Sequence, residues 1–310
     1  MLVLESLTEL ERHGSPRIAI TFGNFDGVHH GHQVLIKELV QKANSQGRAL
    51  AIVTFVPHPR KILKNAQEGF LLGSYQQRQE WLRELGVAYL IELSFTRDFS
   101  TLSASEFLTR YVFTYPNLEQ INLGWDFAFG ANKQGDADVV RELCKARSID
   151  VVVCPPYSID GLSVSSTEIR RAIQAGDIPL VKKLLGRDFT VSGLVVRGEG
   201  RGKRIGIPTA NLQIDADLIY PSGGVYVTET TIKDMTYRSV TNVGVNPTFK
   251  DDKRTSIETH LIDFDGDLYG EQLRVKFLQR LRSERKFSTV NELIEQVKKD
   301  IELGRNYVAP

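Results

Sequence analysis

Ten consecutive residues, Gly23-Asn24-Phe25-Asp26-Gly27-Val28-His29-His30-Gly31-His32, place His29 and His32 three apart among three glycines. At the start of a helix, positions three apart share a face beside the positive end of the dipole. Histidines there donate to phosphoryl oxygens, and Gly23, Gly27 and Gly31 let backbone approach a ligand closely. The pattern is that of a phosphate site. A second set of residues runs from Gly198-Glu199-Gly200-Arg201-Gly202-Lys203-Arg204 to Ile205-Gly206-Ile207-Pro208-Thr209-Ala210-Asn211. Its spacing is not that of a Walker A loop. Closely spaced glycines with Arg201, Lys203 and Arg204 instead suggest a mobile basic flap for phosphate. Thr209 and Asn211, two apart in an extended segment, point their oxygens the same way, as a hard cation needs, and Mg²⁺ bound to ATP is the natural occupant. A third segment, Val164-Ser165-Ser166-Thr167-Glu168-Ile169-Arg170, offers three hydroxyls at a helix start with the charge of Arg170 over the same place.

These groups need elements to hold them. In the first half, short apolar runs alternate with helical periodicity, the pattern of a parallel sheet covered by helices. Arg17-Phe22, Ala49-Phe55, Ala88-Leu93, Gln120-Gly124 and Asp150-Cys154 read as its strands, rich in Ile, Val and Leu as buried parallel strands are. The histidine segment then follows the first strand and opens the first helix, at the edge where open α/β sheets bind ligands. Ser103 with Glu106, and Ser165 with Glu168, have capping-box spacing, and Gly176 reads as a helix stop.

After Gly186 the strands alternate and Gly or Pro punctuates them, which predicts an antiparallel barrel or sandwich. Its expected strands are Thr190-Arg197, Val225-Ile232, Thr236-Val245, Ser256-Phe264 and Gln272-Leu281. A last helix from about Thr289 carries Val290, Leu293, Ile294, Val297 and Ile301 on one face and is expected to close one side of the barrel. Arg282, Arg285 and Lys286 before it read as a solvated basic loop that could also approach a phosphate. The expected division is residues 1–186 and 187–310. The fold class is therefore α/β, a Rossmann-like parallel sheet followed by an antiparallel β-barrel with a terminal helix.

Composition narrows the class. Lys+Arg 39 against Asp+Glu 38 leaves a formal charge of +1 over 310 residues. Cutting after Gly186 gives 20 against 20, then 19 against 18, so neither half shows the basic excess of a nucleic-acid binder. Cys144 and Cys154, with no histidine near in sequence, form neither a disulfide framework nor a zinc pattern, and a reducing cytoplasm is expected. Glu5, Glu9 and Glu11 interrupt the start, and nowhere do eighteen apolar residues run together, so neither signal peptide nor membrane partner is expected. Oligomeric state is left open.

The string Gly-x-Phe-Asp-Gly-Val-His-x-Gly-His resembles the nucleotidyltransferase signature of the bacterial bifunctional riboflavin kinase/FMN adenylyltransferase family, the prokaryotic FAD synthetases. Phe55-Val56-Pro57-His58-Pro59 resembles the family's Phe-Glu-Pro-His-Pro element. Gly124-Trp125-Asp126-Phe127-Ala128-Phe129-Gly130 and the Ser165 segment resemble two further elements. In the second half, Pro208-Thr209-Ala210-Asn211, Asn242-Val243-Gly244-Val245-Asn246-Pro247-Thr248-Phe249, Ile257-Glu258-Thr259-His260 and Asp267-Leu268-Tyr269-Gly270 are similar to riboflavin kinase motifs.

The resemblance implies two reactions with flavin as substrate and product: riboflavin and ATP give FMN, and FMN and ATP give FAD and pyrophosphate. It implies His29, His32 and Arg170 as the catalytic groups of adenylylation, with Gly23, Phe25, Asp26, Gly31, His58, Asp126, Phe127, Phe129, Ser165, Ser166 and Thr167 contacting nucleotide or flavin. Glu258 is implied as the base of the kinase step, with Gly200, Gly202, Lys203, Thr209, Asn211 and Asn246 around ATP and Thr209 and Asn211 on the metal. The basic run of Arg282, Arg285 and Lys286 could also approach the flavin. Val56, Ala128, Lys133 and Arg78 depart from residues common in the family, two of them by losing charge. Two rivals stay open: a nucleotidyltransferase for another small acid, and a flavin- or nucleotide-binding regulator that has lost one activity.

Overall fold

The computed structural model describes residues 1–63, 69–198, 200–246 and 254–308. The chain divides into two compact units, Met1–Gln67 with Gly73–Ser165, and Glu68–Leu72 with Ser166–Pro310.

In the first unit, β1 (Leu2–Leu4), β2 (Ile18–Phe22), β3 (Ala49–Val56), β4 (Tyr89–Ser94), β5 (Leu118–Gly124) and β6 (Asp150–Cys154) form one sheet. Every pairing is parallel, in the order β1-β4-β3-β2-β5-β6. Parallel strands need crossovers, here α1 (His30–Ser45), α2 (Pro59–Leu63), α3 (Tyr75–Glu84), α4 (Ala104–Phe107) and α5 (Ala137–Lys145). A short hairpin, β7 (Ser158–Ile159) and β8 (Leu162–Ser163), follows β6. Each residue of β2 is buried, as a strand covered on both faces requires. The order runs outward from β2 through β3 to β4, then resumes at β5 on the other side. Between β2 and β5 the connections diverge and leave a crevice beyond the carboxyl ends.

The five strands expected from sequence are present within a residue or two, and the Ser103–Glu106 capping box forms in both directions. β1 was not expected: three residues are too short for an alternation to register. Cys144 and Cys154 are free and buried. Burial pushes both thiols up, Cys144 to about 11.

In the second unit, α6 (Ser166–Ala175) and α7 (Ile178–Leu185) precede a closed barrel. Gly176 ends α6 at φ 75°, and its N–H donates to the Ile173 carbonyl. The barrel strands are β9 (Phe189–Val196), β10 (Ala210–Gln213), β11 (Gly224–Ile232), β12 (Met235–Asn246), β13 (Arg254–Leu261) and β14 (Gln272–Arg282), with one helical turn, α8 (Arg201–Arg204), between β9 and β10. They pair antiparallel in the order β10-β13-β12-β11-β14-β9, and β9 returns to β10. Closure removes the edges that a sandwich would keep. A final helix, α9 (Val290–Arg305), is capped by Thr289, whose side chain accepts from the Glu292 N–H.

Two expectations for the end of the chain are corrected. Val290, read as part of the packed face of α9, is 61% exposed; Leu293, Ile294, Val297 and Ile301 of that face are half-buried, Ile301 against Val225, Val240 and Ile262, and the residues buried outright are Asp300 and Gly304. Arg282 is not part of a solvated loop. It ends β14 and grips the Asp300 carboxylate, Nε at 3.0 Å and Nη2 at 2.7 Å from the same oxygen. A periodicity argument counts apolar residues only, so a carboxylate buried by its partner is invisible to it.

Inside the barrel five hydroxyls replace apolar side chains. Thr228, Ser239, Thr230, Thr259 and Thr241 are fully buried and bond in a closed circuit, with neighbours at 2.8, 2.7, 3.3, 2.9 and 2.7 Å in that order round the ring. Thr241 donates to Thr259, and carrying that sense round lets every hydroxyl donate once and accept once. Thr241→Val keeps the shape but strands two buried partners, so we expect a loss of about 1–3 kcal/mol. A lower denaturant midpoint with an unchanged slope checks this.

Candidate functional site

In the first unit the histidine segment leaves the end of β2 beside the β2/β5 crevice. The turn is strained: Phe25 has φ 47° and Val28 φ 35°, with Gly27 between them at φ 74°. Such angles persist in non-glycine residues only where the surroundings over-determine them. Phe25 is buried among Val28, Ile36 and Ile52 and meets His32 edge-on at 5.0 Å. Gly23 leaves room for this ring, since a Cβ would lie 2.9 Å from it.

His29 caps α1: its Nδ1 accepts from the His32 N–H at 3.3 Å. That bond leaves Nε2 to carry the proton of the neutral ring. The two imidazoles stack 3.5 Å apart and 14° from parallel, so both sequence-predicted histidines meet at the helix N-terminus. Gly31 fits beneath Tyr157, with 3.4 Å available to a Cβ. Asp26 is buried in the same turn, and Asn24 turns a buried Oδ1 that has no hydrogen-bond partner among the described residues.

Asp126 is exposed just past β5. Phe127 and Phe129 are half-buried, stacked on each other at 5.1 Å, with Phe127 on Phe22 and Phe129 against Phe107. Their inner faces belong to the core. His58 is buried, and its Nδ1 accepts from the Arg60 N–H at 3.1 Å. Beyond β3 and β4 lies a cavity of about 460 Å³ lined by Pro57, Lys61, Ile62, Ser94, Phe95 and Arg97 among others. Sequence reasoning missed its two cations, which belong to no motif.

Ser165 closes the first unit, whereas Ser166, Thr167 and Arg170 belong to the second, Ser166 and Thr167 opening α6. Arg170 lies one turn further on. Its Nε donates to the Phe70 carbonyl at 2.7 Å, and its guanidinium sits over the Phe70 ring.

The second constellation is built by the β10–β13 pairing. Asn211 stands directly opposite Glu258, and the Thr209 hydroxyl donates to Glu258 Oε2 at 3.3 Å. Hydroxyl, amide and carboxylate thus meet although Thr209 and Glu258 are 49 residues apart. His260 Nδ1 lies 2.8 Å from the Pro208 carbonyl, to which it must donate, and ties down the segment before β10. The segment read as a mobile basic flap contains the turn α8, closed by the Ile207 N–H on the Gly202 carbonyl at 2.9 Å. A Cβ at Gly202 would collide with the Ile207 carbonyl, and one at Gly198 with the Asn211 amide. Glu199, the side chains of Arg201, Lys203 and Asn246, and Pro247, Thr248 and Phe249 lie outside the described residues.

Two histidines at a helix start beside the switch point of a parallel sheet, and a barrel strand pair that brings hydroxyl, amide and carboxylate together, are the groups expected of an enzyme class that moves phosphoryl groups. Comparison narrows the class to a family. The FAD synthetase family matches residues 12–168 and the riboflavin kinase family residues 185–308. The bifunctional riboflavin kinase/FMN adenylyltransferases of Listeria monocytogenes and Pseudomonas fluorescens are each 35% identical over 94% of this chain, and over 92% and 93% of their own. That of Bacillus subtilis is 34% identical over 91% of this chain and 89% of its own. A crystal structure described as a macrolide-efflux protein from Streptococcus pneumoniae superposes with a TM-score of 0.86 at 32% identity, covering 99% of both chains. Among the described residues of this chain no helix is long and apolar enough to cross a membrane. The chain belongs to the family of bifunctional riboflavin kinases/FMN adenylyltransferases, the enzymes of FAD synthesis.

The close approach at Gly202 supplies a test. Gly202→Ala should displace the α8 turn from Thr209 and lower riboflavin phosphorylation by roughly 10-fold or more, because small misplacements of positioning groups are costly. FAD formation from added FMN should be unchanged, and assaying the two steps separately reads both.

Proposed function

We propose that residues 187–310 transfer the γ-phosphoryl group of ATP to riboflavin, and that residues 1–186 then transfer AMP from a second ATP to the FMN formed. The observation that carries the reading is the meeting of Glu258 with Thr209 and Asn211 on one strand pair. In the kinase step the ribityl hydroxyl oxygen attacks the γ-phosphorus, ADP leaves, and Glu258 takes the hydroxyl proton. Thr209 and Asn211 offer oxygen donors to Mg²⁺, and the donor set suits that hard cation. When bound with ATP, Mg²⁺ would neutralise charge on the phosphates. Two side-chain oxygens leave further positions on the cation, which phosphate oxygens of ATP and water would fill.

In the adenylyl step an FMN phosphate oxygen attacks the α-phosphorus of ATP and pyrophosphate leaves. A phosphate monoester is already anionic, so the step needs alignment and charge stabilisation rather than a base. His29 and His32 donate to phosphoryl oxygens at the start of α1, where the dipole adds to them. Ser165, in the same unit, is read as a contact of the triphosphate. The cavity beyond β3 and β4 suits FMN: Pro57, Ile62 and Phe95 offer apolar walls and Lys61 and Arg97 positive charge. Two buried free thiols fit a reducing, cytoplasmic setting.

His32→Ala should lower FAD formation by roughly 10²–10³-fold while FMN formation is kept, as expected for loss of one transition-state donor. Equal loss of both activities in a folded variant would refute the two-site assignment. Glu258→Gln should stop riboflavin phosphorylation through kcat and leave added FMN convertible to FAD. Thr209→Ala should instead regain part of its lost rate at high Mg²⁺. Near wild-type turnover of Glu258→Gln with riboflavin would remove this strand pair from the chemistry.

A further inference from the structure

Helix α3 contributes no residue to the site as read above, yet two side chains from its first turns reach the loops that do. Its start is fixed by a capping box, in which Ser74 Oγ accepts from the Gln77 N–H at 3.1 Å and Gln77 Oε1 from the Ser74 N–H at 2.9 Å. The Tyr75 hydroxyl accepts from the His58 N–H at 2.8 Å. One turn on, Arg78 is only 3% exposed. Its Nη1 donates to the Asn24 carbonyl at 3.2 Å and to Thr54 Oγ1 at 3.1 Å, and its Nη2 donates to Glu92 Oε1 at 2.7 Å. Thr54 Oγ1 in turn donates to the same Asn24 carbonyl at 3.4 Å, and Gln79 holds the other oxygen of Glu92 at 3.1 Å.

Thr54 lies on β3 and Glu92 on β4, two paired interior strands. The guanidinium therefore joins rigid sheet to one carbonyl of the histidine turn. That carbonyl belongs to the peptide linking Asn24 to Phe25, the first of the residues held at positive φ. Two donors on it determine how the peptide plane faces, which a strained turn would otherwise relax. A buried arginine–carboxylate pair loses much of its attraction to desolvation and is weak as a stabiliser. Its planar fork is better suited to directing hydrogen bonds at fixed angles.

We propose that Arg78 is a positioning residue for adenylyl transfer: it holds the Asn24–Phe25 peptide against the sheet and so sets where His29 and His32 stand. This rests on the reading of the histidine turn as the adenylylation site. Arg78 is too buried to meet either substrate, so its removal acts on kcat.

The test uses the full chain, with riboflavin phosphorylation as an internal reference for folding. In Arg78→Met the kcat of FMN adenylylation should fall on the order of 10- to 100-fold, the scale of a misplaced catalytic group. KM for ATP and FMN should stay within about threefold and phosphorylation within about twofold, the split expected of an interaction that matters only in the transition state. Arg78→Lys keeps the charge but not the planar fork, and should recover only part of the loss. Thr54→Val removes one donor to the carbonyl and should lower the same kcat several-fold. The proposal is overturned by an unchanged adenylylation kcat in Arg78→Met, by a rise in KM alone, or by parallel loss of both activities. If Arg78→Met does not fold, the other two variants decide: wild-type kcat in both overturns the proposal, and a lowered kcat in either with phosphorylation kept upholds it. Full adenylylation by His32→Ala would instead refute the site reading itself, however Arg78 behaves.

Discussion

Backbone donors and acceptors inside a sheet are consumed by the ladder, so only strand ends and unusual pairings leave groups free to meet a ligand. Both constellations obey that constraint. In the first unit every strand is parallel, all carboxyl ends lie along one edge, and the reversal of order between β2 and β5 opens the crevice there. In the second unit closure leaves few free ends, and chemistry gathers where the shortest barrel strand, β10, is clasped between β9 and β13. That pairing fixes register, and register puts Asn211 opposite Glu258.

Geometry at both places depends on groups that no ligand would touch. A glycine at 202 lets backbone pass backbone, and His260 holds Pro208. In the first unit the turn combines a buried phenylalanine at positive φ with a valine in the same region. The rest of the fold must hold it there. The buried ion pairs Arg78–Glu92 and Arg282–Asp300 show the same economy in a chain of nearly zero net charge. Each joins two successive elements, α3 to β4 and β14 to α9, with angles an apolar contact would not impose.

The barrel interior shows how polarity and closure interact. Threonine and serine are good strand residues, and alternation alone predicts which of them face inward. An inward hydroxyl is costly unless bonded. Five of them are tolerated because strands β11, β12 and β13 bring them into one ring. No single strand could have satisfied them.

How much was legible follows from range. Parallel-strand runs such as Ile18–Phe22 and the Ser103 capping box are local, governed by neighbours within a few residues, and the sequence alone determined them. The spacing of His29 and His32 likewise placed them on one helical face, and the motifs around them determined the family. The structure alone decided the order in which the barrel strands pair, that Glu258 meets Thr209, and that Arg282 turns to Asp300 rather than to water. It alone showed Arg78 beneath the histidine turn, 54 residues from the carbonyl it holds. Those contacts are made between residues distant along the chain, and a pattern read within one element carries no record of the element packed against it.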